Sequence, residues 1–370
     1  MLFNREAIKR NFEMLRLPNG SFCAAPSHDY QATWIRDTLY CSFAYWFLEE
    51  FQKLQEGVWA VFDFFRDKKN LNRLKIGIAS PERLANGTIH AKYNGITFSE
   101  VVADDKWGHH QLDALGLFLH VVADLDFKNI TIIRNEDDAE VIQLLVYYLR
   151  SSEYWQRPDF GMWEECDIKH SSSIGAVVGG LKYIRKQRLA VVPEQLIQIG
   201  EDRLDRMLPY ESRDLCLRRH HNHDCDAGQL ALIWPYHVVS QENARVIISR
   251  LIDGHQSETG NYHKLLQKHG LTRYWGDDYY RSDEGMYRGV SAEWPIFKFW
   301  LSIIYSQFHE TEKALCWFSE GVKEITPENT IPEAYKNGRP NEHTPLAWAH
   351  ALALIAFAKL PKDAQETLSK

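Results

Sequence analysis

Six stretches of this chain are apolar on nearly every face that a helix would present: TLYCSFAYWFLEEF from Thr38, LDALGLFLHVVADL from Leu112, IGAVVGGLKYI from Ile174, AGQLALIWPYHVV from Ala227, AEWPIFKFWLSIIY from Ala292 and PLAWAHALALIAFAKL from Pro345. A helix of that kind has no side fit for water and must be enclosed. Their starts fall roughly 50 to 75 residues apart, leaving room each time for one further helix and its loops. The intervals hold helices apolar on one side only: Arg5–Leu17, Phe51–Arg66, Asp138–Arg150, Glu194–Met207, Gln241–Leu251 and Thr311–Lys323. The period-two alternation of half-buried strands is hard to find. Two-faced and one-faced helices thus alternate from end to end. A double ring encloses every two-faced helix, with six inner helices forming a barrel and six outer ones covering it. The expected fold is all-α, an (α/α)6 barrel. With no linker, low-complexity tract or break in composition, residues 1–370 read as one domain.

Bulk properties exclude several functions. Of 370 residues, 45% are apolar and 25% charged, which suits a packed core rather than disorder. The formal net charge is −7, against the basic patches that nucleic acid or an anionic membrane surface requires. No apolar run is long enough to span a bilayer, and MLFNREAIKRNFEML lacks the apolar core of a signal peptide. A cytoplasmic setting with free thiols is therefore expected. The six cysteines show no CxxC spacing. The 12 Trp and 17 Tyr read most plainly as a large aromatic core, and more sharply as a cleft where sugar faces stack on rings.

The unusual residues sit just ahead of the inner helices, in ATWIRD, DDKWGHHQLD, FGMWEECD, HHNHDCDAG, SAEWP and IPEAYKNGRPNEHTP. Inner helices of a double ring run parallel, so these loops meet at one rim, the usual home of function on a rigid scaffold. Glu164 and Glu165 follow Trp163 in one turn-rich loop, and Glu333 lies close to Tyr335 in another. Two carboxyls facing each other across a pocket meet the need of glycoside hydrolysis: an acid for the leaving oxygen and a base for water. A lone loop glutamate is more often merely solvated. The neighbouring rings supply apolar surroundings that raise an acid's pKa. Arg36 and Asp37 read two ways: Asp37 caps the helix that follows, or the pair holds sugar hydroxyls. Trp107 is either a stacking platform, with Gln111 and Asp113 nearby, or a buried Trp at a helix start. His220, His221, His223, Asp224, Cys225 and Asp226 invite a metal, but their spacing fits neither HExxH nor a CxxC pair. Asp226 reads better as a helix cap, and no metal or cofactor is expected.

From APSHDYQATWIRD to TPLAWAHALAL, these ordered motifs make the chain resemble glycoside hydrolase family 15, the glucoamylases and their bacterial relatives. The resemblance extends to the homologous domain in the regulatory α and β subunits of phosphorylase kinase, where hydrolysis is not the accepted role. It implies an (α/α)6 barrel and an inverting mechanism on α-glucosidic bonds. By the same resemblance, Glu164 matches the general acid and Glu333 the general base. Glu165 matches a substrate-binding carboxylate, Arg36 and Asp37 the residues that hold the non-reducing glucose, and Tyr30 and Trp34 the aromatics beside it. Trp107 matches the cleft tryptophan and Arg273 of RYWGDDYY a sugar-binding arginine. IHAKYNGITFSEVVADDKWGHHQLDA, DFGMWE and AEWPIF look like the kinase-subunit branch, whereas the WEE doublet has the hydrolase form. Neither the N-terminal β-sandwich of bacterial glucoamylases nor the starch-binding module of fungal ones is visible. The expectation is an exo-acting α-glucosidase on short oligosaccharides. A non-catalytic glucan-binding module and an intracellular trehalase or other disaccharidase are the alternatives.

Overall fold

The structure, a computed structural model, describes residues 2–80, 88–101, 107–216, 221–257, 260, 262–277, 279 and 292–369. Its inner helices are α2 (Ile35–Phe47), α5 (Leu112–Phe127), α7 (Ser171–Gln187), α9 (Leu230–Ile233), α11 (Ile296–Gln307) and α13 (Ala347–Lys359). They touch in that order, and α13 returns to α2, so the ring is closed. The outer helices are α1 (Arg5–Glu13), α3 (Phe51–Arg66), α6 (Glu136–Ser151), α8 (Glu194–Met207), α10 (Gln241–Ile252) and α12 (Thr311–Val322). In sequence order they pack on α13, α2, α5, α7, α9 and α11. This is an (α/α)6 barrel. Among the described residues, two further helices, α4 (Lys68–Ala79) and α14 (Lys362–Ser369), are not part of the double ring. Among the described residues, no helix is long and apolar enough to cross a membrane.

Burial follows the apolar pattern. Inner helix α13 buries eleven consecutive residues, Ala347 to Phe357, whereas outer α3 buries one stripe that includes Leu54, Val58, Val61 and Phe65. Below the mouth the barrel is filled by rings. Tyr40 stacks on Trp348 at 4.9 Å and meets Trp300 edge-on at 5.5 Å. Trp300 Nε1 donates to the Trp234 carbonyl at 2.9 Å. The helices α5 and α7 approach closely at Gly116 and Gly180. A Cβ on Gly180 would lie 2.5 Å from the Gly116 carbonyl oxygen.

Three outer helices, α1, α6 and α10, carry a local side-chain cap, and α3, α8 and α12 do not. On α6 and α10 the caps are Asn135, accepting from Asp138 N, and Ser240, accepting from Asn243 N. Inner helices α2, α5, α7, α11 and α13 have no such local bond. Carboxylates from other loops serve some of them. Asp159 accepts from Leu112 N at 3.0 Å. Glu211 accepts from Ser172 N at 3.1 Å and from the Ser171 hydroxyl at 2.6 Å. The positive ends of the inner helices therefore draw acidic groups to one rim.

The sequence reading needs four corrections. The fourth inner helix, expected over AGQLALIWPYHVV, is a 3-10 turn (Ala227–Gln229) plus one α-turn, ending at Ile233. Trp234 precedes Pro235 and is extended, as a residue before proline prefers. The first inner helix begins at Ile35, not Thr38, and its N-cap is Trp34; Asp37 lies inside the first turn and is not the cap. Among the described residues, four two-stranded ribbons interrupt the loops: β1 (Thr33–Trp34) with β2 (Lys92–Tyr93), β3 (Leu215–Cys216) with β4 (His221–Asn222), β5 (His255–Gln256) with β6 (Tyr262–His263), and β7 (Tyr335–Lys336) with β8 (Arg339–Pro340). The expectation of free thiols fails at Cys166, which is disulfide-bonded.

Candidate active site

The rim opens into a cavity of about 620 Å³. Tyr30, Trp34, Arg36, Asp37, Trp107, Glu164, Glu165, Arg273 and Glu333 all line it, so nine of the ten expected site residues converge there. The tenth, Gln111, is not among the lining residues. Its side chain is spent on Arg36, accepting from Nη1 at 3.1 Å, and on the Gly108 carbonyl at 2.7 Å.

Glu164 comes from the loop before α7. Its backbone has φ +66, a left-handed conformation uncommon for a residue with a Cβ and frequent at functional sites. Arg36, in the first turn of α2, donates to Glu164 at 3.0 Å and to Asp113 at 3.0 Å. Burial pushes the Glu164 carboxyl up to about 7, and nearby Asp37 adds to this against the pull of Arg36 and Lys92. Burial likewise lifts Asp37 to about 6. Burial disfavours the Arg36 charge, yet Asp113, Glu164 and Asp37 together hold it firmly protonated.

Glu333 belongs to the loop before α13, three places around the ring from α7 and hence across the mouth from Glu164. It is 2% exposed. Tyr30 donates to one carboxylate oxygen at 2.7 Å. Tyr279 and Asn341 donate to the other at 2.6 and 2.7 Å. The β7–β8 ribbon brings Asn341 back beside Glu333, where it also accepts from Ala334 N. Burial raises the Glu333 pKa, while His343 and the three donors oppose the rise.

Glu165 faces a different partner set. Arg273 donates to it at 2.6 Å and Tyr274 donates through its hydroxyl. Arg273 is itself gripped by Asp277 at 2.7 Å. Trp163 is fixed by Asp226, which accepts from Nε1 at 2.7 Å and from Gly228 N at 2.7 Å. Asp226 is thus the cap expected from the sequence. His220 and the side chain of His221 lie outside the described residues.

Several lining or supporting groups escaped the sequence reading. Tyr279 and Asn341 sit inside RYWGDDYY and IPEAYKNGRPNEHTP, but neither was singled out there. Trp348 read as inner-helix core. Trp294 and Met162 also line the cavity. Lys92 packs its ammonium over Trp34 at 4.6 Å and Trp107 at 4.3 Å. No spacing announced it, because the β1–β2 register sets Lys92 opposite Trp34.

A family model described as glycosyl hydrolases family 15 matches residues 4–227. The chain belongs to that family. This family 15 chain is 26% identical, over 89% of its length, to the phosphorylase b kinase regulatory subunit alpha, liver isoform, of Oryctolagus cuniculus. It spans about 30% of the length of that curated relative. Among solved structures, a wild-type glycosidase matches with a TM-score of 0.74 at 17% identity, covering 96% of this chain and 97% of the other. The glucoamylase from Saccharomycopsis fibuligera matches with a TM-score of 0.66 at 13% identity, covering 99% and 97%. These likenesses agree on the barrel.

Proposed function

We propose that this family 15 chain is an inverting, exo-acting α-glucosidase that releases β-glucose from short α-linked gluco-oligosaccharides. One observation carries the reading. Two carboxyls share one cavity: the largely enclosed Glu164, its pKa pushed up to about 7, and the buried Glu333, cradled by three donors. In its protonated form, Glu164 gives its proton to the glycosidic oxygen, and the carboxylate left behind is met by Arg36 at 3.0 Å. Glu333 takes a proton from water that attacks the anomeric carbon on the opposite face. A carboxylate has about four acceptor positions. Three are occupied on Glu333, which leaves one for that water. For inversion the carboxyls stand about 6.5–9.5 Å apart. Arg36, Asp37, Glu165 and Arg273 hold the sugar hydroxyls, with Tyr30, Trp34 and Trp107 against its faces. No metal or cofactor takes part in this reading.

The alternative is a non-catalytic glucan-binding module. It is favoured by the kinase regulatory subunits among the relatives. The disulfide at Cys166 is of a kind that persists in oxidising compartments.

Glucose release from maltose, isomaltose, trehalose and longer glucans tests the reading. The expected outcome is hydrolysis with higher kcat/KM on a di- or trisaccharide than on soluble starch. Release from trehalose alone would favour the disaccharidase reading. Binding across the panel without release, seen as a rise in Tm, would favour the module.

A further inference from the structure

Asp224, His255 and His263 come together from parts of the chain that the sequence keeps apart. Asp224 lies in the loop ahead of α9. His255 and His263 are directly paired in the β5–β6 ribbon, which sets their side chains on one face. The three ligand-type atoms lie within 4.8 Å of one another. His255 Nε2 is 3.1 Å from one Asp224 oxygen, and His263 Nδ1 is 3.6 Å from the other. Side-chain exposure is 7% for His255, 9% for His263 and 11% for Asp224.

Asp224 Oδ1 and His263 Nδ1 are both buried and without a hydrogen-bond partner among the described residues. At 3.6 Å they are too far apart to bond each other. Leaving two such groups unsatisfied is costly, and a cation between them satisfies both. We propose that Asp224, His255 and His263 form a structural site for one divalent transition-metal ion of the zinc class. Two imidazoles and a carboxylate suit zinc and its neighbours, whereas magnesium and calcium favour shells of oxygen. Zinc bonds of about 2.0–2.2 Å place tetrahedral neighbours about 3.3–3.6 Å apart, close to the 3.1 and 3.6 Å that separate the two imidazoles from the Asp224 carboxylate oxygens. Three protein ligands leave a fourth position for water.

The surroundings suit an immobile site. His263 stacks on Trp275 at 4.5 Å, which fixes the plane of its ring. The nearby cation, Arg250, donates to the Asp224 backbone carbonyl at 3.2 Å and packs on Tyr210. None of the three ligands lines the cavity, so the ion's work is bracing. It ties the β5–β6 ribbon to the loop whose Asp226 anchors Trp163, beside the segment whose Tyr274 holds Glu165.

The test uses the full chain, stripped with ethylenediaminetetraacetate and titrated with zinc chloride by calorimetry and by thermal unfolding. The expected result is one zinc per chain and a saturable rise in Tm, with no rise from magnesium or calcium. His255→Gln and His263→Gln each weaken zinc binding by about 100-fold or more, beyond the usual cost of losing an outer-shell partner, and abolish the rise. Where either variant fails to fold, Asp224→Asn carries the same comparison. A wild-type chain that takes up no zinc overturns the proposal without any variant. Equal affinity and an equal rise in the folded variants also overturn it, by placing the ion on other histidines.

Discussion

Glu164 and Glu333 differ in what touches them, and that difference supports the separate roles proposed for them. Glu164→Gln and Glu333→Gln should each lower kcat by about 10²–10⁴-fold, the usual worth of one acid or base, with the circular dichroism spectrum unchanged. Near-normal turnover in either folded variant removes that residue from the reaction. The pH profile follows from the same groups. The acid must carry its proton, so activity falls as pH rises through about 7, where Glu164 ionises. The base must be ionised, so activity also falls at low pH. Tyr30→Phe removes one of the three donors that favour the Glu333 carboxylate. The Glu333 pKa then rises and the acid limb of kcat against pH moves upward, while the alkaline limb stays in place. An unmoved acid limb would separate Tyr30 from the base. Glu164, Glu165 and Glu333 were legible in the sequence because each stands within two residues of an aromatic in a loop before an inner helix. Asn341 and Lys92 were not, since hairpin pairing rather than spacing brings them to the site.

The inner helices owe their legibility to being apolar on all sides, and their failures to be read are local. Pro235 ends the fourth after a single α-turn, although the apolar run continues past it. The caps of α5 and α7 come from Asp159 and Glu211, far off in sequence, so no capping signal marks those starts. Contact between these two helices depends on glycine. A methyl at position 180 would meet backbone on α5, which cannot swing aside as a side chain can. Gly180→Ala should therefore destabilise the fold by about 1–3 kcal/mol, the range for overpacking, read as a lower denaturation midpoint at unchanged slope. A midpoint equal to wild type would mean that α5 and α7 separate freely. Because α7 carries the Glu164 loop at its N-terminus, a loss of kcat in that variant would report the same displacement.

The closed ring gathers the N-termini of six inner helices at one mouth, and the chemistry depends on that convergence. The chain is similar both to glycosidases and to kinase regulatory subunits, so similarity does not decide whether it turns over sugar. Stereochemistry does. With Glu333 activating water opposite the bond that Glu164 protonates, the sugar is inverted once and the first product is the β-anomer. A carboxylate attacking the sugar directly would invert it twice and return the α-anomer. Proton NMR of an α-linked gluco-oligosaccharide, recorded from the moment of mixing, should show the β-anomeric signal rising first and the α signal following by mutarotation. An α signal that rises first would contradict the inverting assignment of Glu164 and Glu333, and no anomeric signal at all would contradict the hydrolase itself.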